Sequence, residues 1–349
     1  MRIKSATVLL LGVTSTTVEI VKNIVLAGAS LIIADDRPVD DSTSNFLIKL
    51  EVDNLAELSV GQATAIAAHR LNEHPKISCM GESEVGLQST MASISALIVS
   101  LASIDYNADR AEALSLECRK HGVAFFLVMD SREVSWMFSD FGNKHRVDSH
   151  TAPLKRDERT GERSALKTIE QFEFADLEEY IASDLDAKLL KSKSSYPLKE
   201  VLYMKFFLEW MSKEKQVREG ERSPKRVRRQ TFPEFVEKRL EDKLSGGSKR
   251  DEIVEALRLM QERVRSDQGA LPHIAAIHGA LVSQEVVKFI TKRDPPLVNQ
   301  IVINPTDCAA VAVKTPAALS SQVIGGDSGV EDDVELVFTA NVNNLDILE

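Results

Sequence analysis

Within the first 34 residues, two apolar runs flank an amphipathic stretch, and this constrains the chain more than any other feature. Ala6 to Leu11 is apolar almost throughout and stops at Gly12. Thr17 to Ala27 then places Val18, Val21, Ile24 and Val25 on one helical face, with Glu19, Lys22 and Asn23 off it, and Gly28 follows as a stop. Leu31 to Ala34 is a second apolar run, closed by Asp35-Asp36. Strand, helix and strand in so short a span form a βαβ unit, which requires a parallel sheet. The alternation continues with a helix over Ala63–Asn72, an extended run over Ile77–Met80, a buried strand over Ala96–Ser100, a helix over Ala108–His121 and a strand over Val123–Met129. Residues 1–149 therefore read as the first part of an α/β, Rossmann-like domain with helices packed on a mostly parallel sheet.

The pattern then changes. His150 to Arg163 is polar and without periodicity, and reads as a linker. Helical periodicity follows over Leu177–Leu190, Leu198–Met211, Phe232–Leu244 and Glu252–Val264, so 150–268 is expected to be a linker and helical insertion. Inside it, residues 213–229 carry eight bases against three acids. Pro272 to Thr291 is apolar on most sides, so a buried helix is expected, and Gln300–Asn304 and Ala309–Val313 read as strands. Residues 269–315 thus return to the α/β domain, and 316–349 is an acidic tail expected to be flexible.

Charge supports that division. The 349 residues carry a formal net charge of −10, but seven of the acids lie in Gly326–Glu349, which has no Lys or Arg. Removing those seven leaves −3 on the other 325 residues, so no bulk field favours a polyanion and nucleic acid is not an expected partner. Cys79, Cys118 and Cys308 are far apart and form no C-x-x-C pair, which argues against a structural zinc site or a disulfide framework. The seven histidines show no ligand spacing, so no metal site is expected. No run approaches the length of an uninterrupted apolar membrane span, and a soluble, intracellular protein is expected.

The turn after the first strand is where a nucleotide phosphate would sit in such a fold. Three glycines normally make the turn, admit the phosphate and let helix and strand pack. Here the loop reads Gly12-Val13-Thr14-Ser15-Thr16-Thr17, with Ser15 and Thr17 at the second and third positions. Side chains at positions that need positive φ would cost roughly 1–2 kcal/mol each and obstruct an anion. Asp35 lies 23 residues after Gly12, where a ribose-binding acid would be, although it is also an ordinary strand-closing residue. The fold is expected to persist without tight nucleotide binding.

Several stretches resemble one family, the ubiquitin-like modifier activating enzymes of the ThiF/MoeB superfamily. Glu19 to Gly28 resembles the family's E-I/L-x-K-N-L-x-L-x-G helix. Phe125-Phe126, followed by Ser139-Asp140-Phe141-Gly142, resembles its F-F and x-x-L-G strand pair. Gly279 to Lys288, with Gln284-Glu285 in the middle, resembles its G-x-x-x-Q-E-x-x-K helix and marks a candidate interface. These likenesses span 1–147 and 269–315 and imply a ThiF/MoeB-type adenylation fold; the insertion matches in placement only. By length, the likeness is nearest to the regulatory subunits of SUMO-activating enzymes.

The departures imply a non-catalytic half. The family's phosphate-holding Arg-Gln before Phe-Leu is absent from Thr43-Ser44-Asn45-Phe46-Leu47, and Gln62 replaces its next lysine in Val60-Gly61-Gln62. Asp105-Tyr106-Asn107-Ala108-Asp109-Arg110 resembles its Asp-Asn-x-x-Ala-Arg box. No cysteine has a thioester-like context, and Cys118 reads as a packing residue. Regulatory members also carry an arginine-bearing Y-D-R-Q-I-R-L-W-G-like segment before the first strand, which does not occur here; Arg2 is too near the strand to replace it. The resemblance implies that this chain holds no cofactor and has no catalytic residue. It pairs with a catalytic SUMO-activating subunit that binds ATP and Mg, and it meets SUMO through the complex. Two peripheral motifs fit that setting: a nuclear-import-like run with Lys225, Arg226, Arg228 and Arg229, implying a nuclear or also cytoplasmic location, and a SUMO-interacting-like strand with Val334, Leu336 and Val337. Two other readings stay open: a stand-alone ATP- or NAD-binding enzyme with a divergent loop, and a regulatory subunit for another ubiquitin-like modifier.

Overall fold

The structure, a computed structural model, describes residues 2–40, 45–51, 57–86, 88–132, 134–149, 155–156, 163–164, 168–183, 190, 198–220, 230–241, 247–265, 269–297, 299–304, 309–313 and 336–340. In chain order the main elements begin with β1 (Thr7–Leu11), α1 (Ser15–Ala27), β2 (Ser30–Ala34), α2 (Phe46–Glu51), α3 (Val60–Leu71), β3 (Ile77–Cys79), α4 (Gln88–Met91), β4 (Ala96–Ser100), α5 (Ala108–His121), β5 (Ala124–Asp130) and β6 (Ser135–Asp140). A ribbon follows from β7 (His145–Ser149), β8 (Lys155–Arg156), β9 (Arg163–Ser164) and β10 (Thr168–Phe172). The chain continues with α6 (Leu177–Ala182), α7 (Leu198–Gly220), α8 (Phe232–Glu241), α9 (Gly247–Arg265), α10 (Pro272–Thr291), β11 (Gln300–Asn304), β12 (Ala309–Val313) and β13 (Leu336–Ala340).

Nine strands make one sheet in the order β13-β12-β11-β6-β5-β4-β1-β2-β3. From β3 to β5 neighbouring strands are parallel, and from β5 to β13 they are antiparallel. This is a Rossmann-like α/β fold with a parallel-rich centre, as the βαβ pattern requires. Both faces are covered, which is why β1 and β4 are apolar without alternation. Leu9, Leu11, Leu97, Val99, Phe125 and Leu127 pack into one core cluster with α5 and the insertion helices. Val8, Leu10, Ala96, Ile98, Phe126 and Val128 pack into the other with α1, α3 and α10.

Three regions differ from the sequence reading. The expected linker contains a two-stranded ribbon in which β7 pairs antiparallel with β10, Val147 opposite Glu170. Its inner face is held by Val147 and His145, both buried, a period-2 signal too brief to stand out in polar sequence. The insertion helices do not stand apart: every residue of α7 from Val201 to Trp210 is buried, and they share one cluster with the central strands. In the tail, Leu336–Ala340 forms a strand on the chain's own sheet, with Ala340 opposite Ala310 and Thr339 opposite Val311. An edge strand with unpaired amides and carbonyls favours such pairing with a β-branched and aromatic segment.

Helix α10 is long and apolar enough by composition to cross a membrane, but half of that stretch is buried within the chain. It lies against α1, and Gly279 permits the close approach: a Cβ there would be 2.5 Å from Glu19 Cβ and 3.0 Å from the Thr16 carbonyl oxygen.

Candidate functional site

The C-terminal ends of β1, β2 and β5 converge on the turn that opens α1, the place where open α/β sheets bind ligands. Gly12 adopts φ +87°, and a Cβ at this position would sit 2.1 Å from Ser103 Cβ. Glycine is required there on both counts. The Ser103 hydroxyl closes over the turn by donating to the carbonyls of Leu11 (3.1 Å) and Ser100 (2.7 Å).

The expectation of strain at Ser15 and Thr17 is corrected by the structure. Both residues lie in the first turn of α1, and neither has positive φ. The chain enters the helix one turn early because Thr14 acts as N-cap and Thr17 completes a capping box. The Thr17 hydroxyl accepts from Thr14 N–H at 2.6 Å and donates to the Gly12 carbonyl at 3.1 Å. The side chain in the third glycine position therefore satisfies backbone groups within the loop.

Two carboxylates complete the turn. Asp35, buried at the end of β2, accepts from Val13 N–H at 2.8 Å. Arg37 donates to both of its oxygens, Nε to Oδ1 at 3.0 Å and Nη2 to Oδ2 at 2.6 Å, and also to the Val13 carbonyl at 2.8 Å. The hydrogen bond from Asp35 raises the Arg37 pKa further. A ribose-binding acid would present its carboxylate to a ligand; here the carboxylate braces the loop.

Asp130, the last residue of β5, reaches the start of α1. Its Oδ2 accepts from Thr16 N–H and its Oδ1 from the Thr14 hydroxyl, both at 3.2 Å. The first-turn N–H groups and positive dipole end of a helix favour an anion. In this chain a carboxylate from its own sheet supplies it. Sequence reasoning missed both Asp130 and Arg37; the available signal was an acid at the C-terminal end of a central parallel strand.

The remaining candidate residues separate in space. Asp105 and Tyr106 both adopt left-handed φ, 52° and 54°, which makes the Asp-Tyr-Asn run a strained turn before α5, whose first turn Asn107 caps. Asn45 caps α2 and donates to the Thr64 hydroxyl at 2.8 Å, tying the Phe46-Leu47 segment to α3. Gln62 serves the Ser59 capping box. On α10, Gly279 faces α1, whereas Glu285 is fully buried and accepts from Leu297 N–H and Lys288 Nζ at 2.8 and 2.7 Å. Burial pushes the Glu285 carboxyl upward, against these three groups. Gln284 is the exposed member of that set. Arg2 donates to the Thr291 carbonyl at the end of α10. Cys118 is buried, with its thiol pKa pushed up by desolvation, which suits packing and opposes nucleophilic use. Leu336 and Val337 belong to β13, while Val334 and the basic run Lys225, Arg226, Arg228 and Arg229 lie outside the described residues.

No family model matches the chain, and no curated protein does. Among solved structures, a selenomethionine crystal structure of PaaA aligns at TM-score 0.45 and 11% identity, over 88% of this chain and 72% of that one. The E. coli MccB structure with succinimide aligns at TM-score 0.45 and 11% identity, over 93% and 68%. E. coli MccB alone aligns at TM-score 0.45 and 10% identity, over 95% and 69%. Likeness at this level carries no functional weight.

Proposed function

We propose that this chain is a non-catalytic subunit of an activating enzyme of the ubiquitin-like modifier type, paired with a subunit that performs ATP-dependent adenylation. The observation that carries the reading is the occupation of the strand–helix turn by Asp130 and Asp35. An incoming triphosphate would meet two carboxylates where phosphoryl transfer needs cations and free N–H donors. Electrostatic repulsion and already-used donors both oppose binding there. The motif likeness of α1 and α10 supports membership of an adenylating assembly, and SUMO is the modifier that chain length and motifs favour. On this reading, ATP and Mg belong to the partner, and the basic run at 225–229 serves nuclear import.

Affinity purification of the full chain from its own cells, with identification of co-purifying proteins, tests the pairing. Recovery of a catalytic activating subunit is expected. ATP–pyrophosphate exchange by the purified chain alone, in the presence of a modifier, would overturn the proposal. Calorimetric titration with ATP and NAD separates it from a stand-alone nucleotide enzyme, for which tight binding is required.

A further inference from the structure

At the end of the sheet away from β13, β3 has a neighbour on one side only. Leu31 N–H donates to the Lys76 carbonyl at 2.9 Å and Met80 N–H donates to the Ile33 carbonyl at 3.1 Å. In a parallel ladder this register turns the peptide groups of Lys76, Ser78 and Met80 toward β2 and those of Ile77 and Cys79 outward. Beside that open edge lies a groove of about 550 Å³ between β3 and α3. Its wall includes Leu58, Ala65, Ile66 and Ile77, and Ile66 is 41% exposed. The Cys79 thiol also lines it and donates to the Gly61 carbonyl at 3.4 Å.

Charge in the groove is one-sided. His69 and Arg70 line it, both exposed, and no carboxylate does among the described residues. Contact between Gly61 and Cys79 places the start of α3 beside the end of β3. The last turn of α3, with His69 and Arg70, therefore lies toward Ile77 and Lys76. The groove thus has a basic end and an apolar length, beside two outward N–H and two outward C=O groups.

We propose that this edge is a docking site for an extended acidic–apolar peptide segment of a partner protein, added to β3 as a further strand. Main-chain hydrogen bonds would form with Ile77 and Cys79, and alternate side chains would point toward α3. An apolar residue fits over Ile66 and Ile77, and a carboxylate fits at Arg70. The adenylating-subunit reading is not needed for this inference.

Cys79 supplies the readout, because a strand in the groove covers its thiol. The full chain is treated with a thiol alkylating agent, and modification at Cys79 is followed by mass spectrometry. Two acetylated peptides are compared, one alternating valine with glutamate and the other valine with lysine. The glutamate peptide should slow Cys79 alkylation about tenfold near saturation and slow hydrogen exchange at Ile77 and Cys79, while the lysine peptide should do neither. The surface substitution Arg70→Glu should reverse the preference, and Ile66→Asp should remove protection by either peptide. Equal protection by both peptides, no protection of Cys79, or protection unchanged in Arg70→Glu would overturn the proposal.

Discussion

Asp130, at the end of β5, accepts hydrogen bonds from Thr14 and Thr16 at the start of α1, joining two elements 114 to 116 residues apart in sequence. The carboxylate acts as a tethered anion at a helix N-terminus. Asp130→Ala removes a charge-assisted pair and should destabilise the fold by about 1–3 kcal/mol. Asp130→Asn, which keeps an oxygen acceptor without the charge, should cost less. Chemical denaturation of the two variants checks the order; equal stability to the parent would show that the contact contributes nothing.

Gly279 is the point of closest approach between α10 and α1. A methyl group there meets Glu19 Cβ at 2.5 Å and the Thr16 carbonyl at 3.0 Å, so the helices must move apart. Gly279→Ala is expected to lower stability by about 1–3 kcal/mol despite its better helix propensity. The neighbouring exposed Ala280→Ser should change stability by less than about 0.5 kcal/mol. Denaturant midpoints for the pair separate packing from helix propensity.

His278 is fully buried, neither ring nitrogen has a hydrogen-bond partner, and desolvation lowers its pKa to about 3. An unfolded histidine titrates near about 6.5, so between these values the unfolded chain binds more protons and stability falls as pH falls. His145, lowered to about 4 by burial and then by Lys292, acts in the same direction. Burial raises Asp140 to about 6 and Glu112 to about 7, and these oppose the histidines over part of the range. The variant must therefore be compared with the parent at each pH. His278→Leu should be no less stable at about pH 7.5 and should gain up to about 2 kcal/mol relative to the parent at about pH 5. A difference that does not vary with pH would contradict the assignment.

Arg119 holds a buried corner of the sheet. Its Nε donates to Asp140 at 2.5 Å, and its two terminal nitrogens donate to Asn143 and the Phe174 carbonyl. The Asp140 side chain has no solvent exposure. Arg119→Met leaves that carboxylate unpaired and should cost about 3 kcal/mol near neutral pH. Without the arginine, the folded pKa of Asp140 rises further above its unfolded value, so the deficit should shrink as pH falls and the carboxyl protonates. Asp140→Asn should recover part of the loss in a double-mutant cycle.

The sheet centre was legible because β1, β2, β4 and β5 are short apolar runs, and burial on both faces requires that composition. α1 was legible from Val18, Val21, Ile24 and Val25, although its start was placed two residues late. Its first turn depends on the Thr14–Thr17 capping box, which competes with the reading of those positions as degenerate glycines. The β7–β10 ribbon was not legible, because only alternate residues of a short segment are buried and the rest are polar. The strand over Leu336–Ala340 was read as a tail motif, since its partner β12 ends 22 residues earlier and no local pattern indicates the pairing.

By itself the sequence determined the layer architecture: apolar period, helix stops and strand length act over a few residues and survive in any context. It also marked Gly12 and Asp35 as the turn and the acid beside it. What that acid does was decided by tertiary structure, because a carboxylate that could face a ligand instead faces Arg37 and Val13 N–H. The same holds for Asp130, whose role exists only because the sheet brings the end of β5 to the beginning of α1. Hydrogen-bond donors at a helix start are a local property; what fills them is set by whatever the fold places within about 3 Å.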